Sequence, residues 1–270
     1  MSDWRLILDA PAPGAWNMAV DEAILEHAGR GDSRPTLRMY AWQPACLSLG
    51  YAQPYTDVDE SRLAAHGWDV VRRPTGGRAI LHTDELTYSV TTAPNEPIME
   101  GTVLESYNRI AGALLAACHS LDLPVSMEQH APPAEATKGA VCFEVPSAYE
   151  IVLDGKKLIG SAQARKREGI LQHGSLPLHG DLTRIVQALA FEDEVTRGNT
   201  AVRLLKRATT AENHLQRVIA WETAAQALVG AFQQTLGLIF ERGELSGAEK
   251  ARAEELVQKK YNHPAWNKRV

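Results

Sequence analysis

Cys142 stands in Val141-Cys142-Phe143-Glu144, and Lys157 follows beyond a strand-like run and an Asp154-Gly155 turn, heading Lys157-Leu158-Ile159-Gly160-Ser161-Ala162-Gln163. A thiolate is the nucleophilic form of cysteine, and an ammonium held nearby favours it, so the pair is a candidate for covalent acyl chemistry. Lys157 would stabilise the thiolate and hydrogen-bond a carbonyl oxygen on which negative charge develops. Gly160, Ser161 and Ala162 are small residues in a strand otherwise suited to bulky ones. Such a run marks close approach of a ligand or another backbone, as a narrow acyl tunnel requires. The competing readings are ordinary: a free cysteine is most often a small buried hydrophobe, and a lysine beside a turn is most often solvated. Cys46, in a strand-like run, and Cys118, on the apolar stripe of a helix, take that ordinary reading.

A second group surrounds a glycine pair, Arg72-Arg73-Pro74-Thr75-Gly76-Gly77-Arg78. Gly-Gly between two apolar runs most often makes only a hairpin turn. The segment fits neither GxxxxGK[ST] nor GxGxxG, so nucleotide binding does not follow from its glycines. His82 and His173 each follow apolar strand residues and are either hydrogen-bonded core histidines or proton carriers.

The elements that must position these groups belong to a soluble globular chain, since 270 residues with 44% hydrophobic content suffice for one sizeable core. No apolar run approaches the roughly 20 residues of a membrane span, and no basic leader precedes the first strand, so a cytoplasmic protein is expected. Three scattered cysteines without a CxxC pair support neither a disulfide framework nor a zinc site. A formal charge of -5 argues against a general nucleic-acid binder. Two basic stretches nevertheless stand out, Arg72/Arg73/Arg78 and Lys156/Lys157/Arg165/Lys166/Arg167, which would serve an acidic protein or a phosphate-bearing ligand unless they are simply solvated loops.

Alternation predicts a strand over 4–9, followed by a helix that Asn17 precedes and that ends near Gly29. Short Val/Ile/Leu/Tyr-rich runs at 37–42, 46–51, 68–72, 79–82 and 86–91 read as sheet strands. Thr102 and Glu105 form a capping-box pattern ahead of a helix over 102–121, and 130–138 reads as a flexible loop. A hairpin over 147–163 turns at Asp154-Gly155, and a further strand runs through Ile170 to Gly174. Asp181 caps more helix, an amphipathic stripe runs from Trp221 to Leu236, and Ser246 with Glu249 opens a last short helix. Strands in clusters with helices between them indicate an α+β or mixed α/β domain with antiparallel pairing.

Taken in order, Arg72 through His82, Glu85-Leu86-Thr87-Tyr88-Ser89-Val90, Cys142, Lys157 through Gln163, Ile170 through Ser175, and the ending Lys260-Tyr261 to Trp266-Asn267 resemble the biotin/lipoate ligase superfamily, and within it the LipM-type octanoyltransferases. The resemblance covers nearly the whole chain. It implies a catalytic domain like those of class II aminoacyl-tRNA synthetases and biotin/lipoate ligases, with mixed, largely antiparallel sheets flanked by helices. Residues 1–245 would form that domain and 246–270 a helical extension of it. The implied reaction moves an octanoyl group from octanoyl-acyl carrier protein to a lysine of a lipoyl-domain protein such as the glycine cleavage H protein. Cys142 would carry the acyl thioester, Lys157 would lower its pKa, and Arg73, Gly76, Gly77, Arg78, His82, Gly160, Ser161, Ala162 and His173 would bind the acyl substrate. A thioester donor is already activated, so neither ATP, a metal nor another cofactor is expected, and neither nucleic acid nor membrane is an expected partner. The general base is left open among His82, His173 and water.

Two departures bear on this resemblance. Related ATP-using lipoate ligases place a third glycine where this chain has Arg78 and lack a cysteine matching Cys142, which favours the transferase. Thr83 follows His82 where relatives often place an aspartate, with Asp84 as the displaced acid. The competing functions are an ATP-dependent lipoate ligase, an octanoyl-H protein amidotransferase and a non-catalytic acyl-binding homologue. A thiol hydrolase is disfavoured because no Cys/His/Asn pattern accompanies the cysteine.

Overall fold

The computed structural model describes residues 3–129 and 149–270. Cys142 and the loop expected over 130–138 lie outside the described residues. Strands β1 (Asp3–Leu8), β2 (Thr36–Tyr40), β6 (Glu85–Thr92), β7 (Ser126–Gln129), β8 (Tyr149–Leu153), β9 (Lys156–Lys166), β10 (Gly169–Pro177) and β11 (Ile239–Arg242) form one sheet in the order β11-β1-β2-β6-β10-β9-β8-β7. Pairing is parallel from β11 through β1 to β2 and antiparallel across the rest. A second sheet, order β4-β3-β5, is built from β3 (Cys46–Leu49), β4 (Asp69–Arg72) and β5 (Ile80–His82).

Strand alternation decides what each face of the large sheet meets. Leu37 and Met39 of β2 and Leu86, Tyr88 and Val90 of β6 join the main core beneath helices α3 (Val103–Ser120) and α6 (Trp221–Leu236). The intervening residues, Arg38 and Tyr40 of β2 and Ser89 of β6, converge on Asp21 of helix α1 (Gly14–Arg30). A third cluster packs β3 against Leu63 of α2 (Glu60–His66) and Leu204 of α4 (Glu194–Arg207). Short helices α5 (Ala211–Leu215) and α8 (Pro264–Asn267) and helix α7 (Gly247–Leu256) complete the chain.

The expected Asp154-Gly155 turn forms, with φ of 53° and 71° at the two residues, the paired left-handed conformation that a two-residue hairpin needs. Both capping boxes are present, at Thr102/Glu105 and Ser246/Glu249. Helix α1 begins earlier than Asn17: Pro13 precedes it, and the Asn17 side chain instead donates to the carbonyls of Ala12 and Ala41. After Asp181 the chain makes a 3₁₀ turn over Leu182–Gln187 rather than an α-helix. The Arg72 to Arg78 segment is no hairpin, because β4 and β5 flank β3 on opposite sides and the segment crosses over the end of β3.

The C-terminal segment is tied into the fold. Glu249 accepts from both terminal nitrogens of Arg5 at 2.7 and 2.6 Å and from Ser33 Oγ at 2.6 Å. Burial opposes its charge, but these donors and the Ser246 N–H outweigh burial and hold the carboxyl down to about 2. A depressed carboxylate contributes stability that is full above its unfolded value and lost as pH falls through the folded one. Glu249→Gln should therefore lower the melting temperature most at neutral pH, the difference from wild type shrinking between about pH 4.5 and about pH 2. Thermal melts of both proteins across that window check this, and a difference independent of pH would contradict it.

Candidate functional site

Between the two sheets lies a narrow cavity of about 50 Å³. Of the residues singled out from sequence, Arg73, Gly77, His82, Gly160, Ser161, Ala162 and His173 all line it. Gly76 and Arg78 border the neighbouring groove instead, with Pro74, Gln163 and Ala164. The cause is Arg73, whose guanidinium draws the carbonyls of Gly76 and Arg78 toward itself at 2.9 and 2.7 Å. Arg72 and Arg73 are likewise not a solvated basic loop: both are buried, and the partners of Arg72 are backbone carbonyls.

His82 is bracketed by two partners. Its Nδ1 lies 2.6 Å from Glu85 Oε1, and its Nε2 lies 2.7 Å from Ser48 Oγ, which also accepts from Arg73 at 3.1 Å. A carboxylate only accepts, so Nδ1 carries a hydrogen and donates it to Glu85. Trp42 stacks on the imidazole at 4.0 Å between centroids, and its Nε1 donates to Thr87, which in turn donates to Glu85. The acid that serves His82 is thus Glu85 rather than Asp84, which turns the other way to pair with Arg184.

His173 faces it across the cavity wall with a similar arrangement. Nε2 is 2.6 Å from Thr75 Oγ1, and Nδ1 is 3.5 Å from Asp21 Oδ2. Burial pushes the imidazole below its ordinary value, with Asp21 opposing, so it is neutral near pH 7. Burial would raise the Asp21 carboxyl, but His173 and Arg38 outweigh it and hold the group low and ionised.

Lys157 lies three positions along β9 from Gly160, at the same end of the sheet. The residue is 5% exposed, and its ammonium sits 2.8 Å from Glu150 Oε1 of β8. The register then gives the cavity a direction. Gly160 pairs with Ser175 and Ser175 with Thr87 nearest Lys157, Ala162 pairs with His173 farther along, and Gln163 and Ala164 reach the outer groove. Gly174 has to be glycine, because a Cβ there would lie 2.6 Å from the Gly160 carbonyl oxygen and 2.8 Å from the Tyr88 ring.

Sequence reasoning missed Met18, Tyr40, Trp42, Ser48, Ile80, Thr87, Gly174 and Ser175 as lining residues. Ser175 was within reach, because it is two residues from His173 on one strand and so shares its face. Cys46 and Cys118 keep the structural reading: both are buried, and burial pushes the Cys46 thiol well up and that of Cys118 to about 12. Among the described residues no helix is long and apolar enough to cross a membrane.

Residues 13–233 match the lipoyl protein ligase A/B catalytic domain. Octanoyltransferase LipM of Kyrpidia tusciae is 39% identical over 274 residues, covering 100% of both chains. The chain belongs to the LipM octanoyltransferase family. Octanoyltransferase LipM of Geobacillus kaustophilus is 36% identical and covers 98% of this chain and 97% of its own. Among solved structures, a bipartite lipoate protein ligase of Thermoplasma acidophilum, described with its E2 lipoyl domain, matches with a TM-score of 0.80 and 25% identity, covering 99% of this chain and 97% of that one. A lipoate-protein ligase A bound with ATP has the same fold, with a TM-score of 0.79 at 23% identity over 98% of each chain. The fold of this LipM family member is therefore that of the lipoate ligases, with mixed sheets flanked by helices.

Proposed function

We propose that this acyltransferase moves an octanoyl group from octanoyl-acyl carrier protein to the lysine amine of a lipoyl-domain protein, the glycine cleavage H protein first among them, through a thioester on Cys142. The observation that carries the reading is the narrow cavity walled by Gly160, Ala162 and Gly174, ending toward Lys157. Each methylene buried there contributes about 0.8 kcal/mol, which suits a saturated acyl chain.

In the first step the Cys142 thiolate attacks the donor's carbonyl carbon. The new carbon–sulfur bond forms, the bond to the carrier's pantetheine sulfur breaks, and that sulfur leaves as a thiolate and takes up a proton. In the second step the neutral acceptor amine attacks the enzyme thioester, the amide forms, and Cys142 leaves as thiolate. The amine's surplus proton passes to a base, for which His82, His173 and water are the candidates. Lys157 keeps the thiol ionised. Neither ATP nor a metal enters the scheme, and a carrier-protein donor with a lipoyl-domain acceptor places the reaction in the cytoplasm.

Intact-mass measurement after incubation with octanoyl-acyl carrier protein tests this directly. Wild type should gain one octanoyl group without ATP, and Cys142→Ser should gain none and lose turnover. Full turnover in that variant would remove the proposed nucleophile. Activity that required ATP and free lipoate would instead make the protein a ligase, and loading from octanoyl-H protein alone would make it an amidotransferase.

A further inference from the structure

Ser175 is 1% exposed, lines the cavity, and has an Oγ that meets no hydrogen-bond partner among the described residues. The other hydroxyls around the cavity are satisfied. Thr87 is bonded to Trp42 and Glu85, Ser48 to His82 and Arg73, and Ser161 to the Tyr88 hydroxyl at 2.8 Å. A buried hydroxyl without a partner weakens the folded state, so its presence on the cavity wall calls for a group that enters the cavity and meets it.

A saturated acyl thioester offers one hydrogen-bond acceptor of consequence, its carbonyl oxygen. The position agrees with that acceptor. Ser175 pairs with Gly160, three residues from Lys157, so the two levels are separated by about 10 Å of strand at roughly 3.3 Å per residue. An extended lysine side chain spans much of that distance. From Ser175 the cavity continues past Ala162 and His173, away from Lys157, along the course open to the aliphatic tail.

We propose that the Ser175 hydroxyl donates a hydrogen bond to the carbonyl oxygen of the bound acyl thioester and to the oxyanion formed when sulfur adds to it; this rests on the acyl-transfer reading above. As the carbon–sulfur bond forms, the carbonyl π pair moves onto oxygen. Ser175 keeps its proton throughout and contributes only the hydrogen bond. On collapse the pair returns, the donor's carbon–sulfur bond breaks, and the departing thiolate is protonated by solvent. Ser175 is then a catalytic residue, and it also fixes the depth at which the acyl group stops.

Ser175→Ala separates this role from a structural one, because removing an unpaired buried hydroxyl should leave the melting temperature unchanged or raise it. The expected result is a fall of about 10²-fold in the rate of enzyme acylation by octanoyl-acyl carrier protein, the scale for losing one oxyanion donor, with little change in KM. An acylation rate within about twofold of wild type would overturn the proposal, as would a rise in KM alone or a rate loss that merely follows a lowered melting temperature. Wild-type acylation is scored first by intact mass. Its absence would overturn the acyl-transfer reading and this proposal with it, whereas acylation of wild type beside an unaffected Ser175→Ala overturns this proposal alone.

Discussion

Lys157→Ala is expected to raise the pH midpoint of Cys142 alkylation by about 1–3 units, the range for removing an opposite charge near an ionisable group, and to slow acylation in proportion to the lost thiolate. The described residues supply a control. Lys157 Nζ is 2.8 Å from Glu150 Oε1, and both side chains are buried. Neutralising Glu150 while keeping the lysine, as in Glu150→Gln, removes a negative charge from the ammonium's surroundings and should move the thiol midpoint the other way. The alanine variant will also melt lower, because it takes the Lys157 ammonium away from the buried Glu150 carboxylate. A loss of stability alone cannot reverse sign between the two variants, so the pair of pH profiles isolates the electrostatic role. Cys46 and Cys118 are buried with raised pKa values, so alkylation of the folded protein reports on Cys142. A wild-type profile in Lys157→Ala would remove the lysine from the thiol's chemistry.

Arg72→Leu should be the most damaging single change outside the nucleophile. The Arg72 guanidinium is fully buried and donates to the carbonyls of Gly50 at 2.8 Å, Tyr51 at 3.2 Å, Gln53 at 2.6 Å and Asn267 at 2.8 Å. Its backbone N–H donates to Asn267 Oδ1 at 2.8 Å, and its carbonyl accepts from Trp266 Nε1 at 2.8 Å. Arg72 thereby ties α8 to β4 one residue ahead of Arg73, which frames the cavity. Leucine would strand the carbonyls of Tyr51, Gln53 and Asn267, Gly50 keeping the Gln53 N–H at 3.1 Å, and at about 1–3 kcal/mol for each one left dry a loss of at least about 3 kcal/mol is expected. At roughly 2–4 °C per kcal/mol for a chain of this size class, the melting temperature should fall by about 6–12 °C. A fall under about 2 °C would mean that water reaches those carbonyls and that Arg72 does not clamp the segment.

Local signals were legible where the physics is local. Asp154-Gly155 specifies its turn because two adjacent left-handed residues suit few other pairs, and Thr102/Glu105 specifies a helix start because both partners lie within one turn. Asn17 misled for the opposite reason: a residue able to cap a helix was used across a distance, on Ala41 and Arg38. The same holds for Arg72 and Arg73, whose charge predicts solvent until the carbonyls that hold them are brought close. His82's acid also had to wait for the strand, since the pleat sends Asp84 to Arg184 and Glu85 to the imidazole.

The order of motifs along the chain was enough, without coordinates, to give the family, the fold class and seven of the fifteen residues of the cavity wall, because those depend on residue types and short spacings. Folding alone decided which groups meet. It set His82 against Glu85 and Ser48, His173 against Asp21 and Thr75, Lys157 against Glu150, and left Ser175 facing the cavity without a partner among the described residues. These pairings join residues on separate strands and helices, and their register is a property of the assembled sheets rather than of any stretch of sequence.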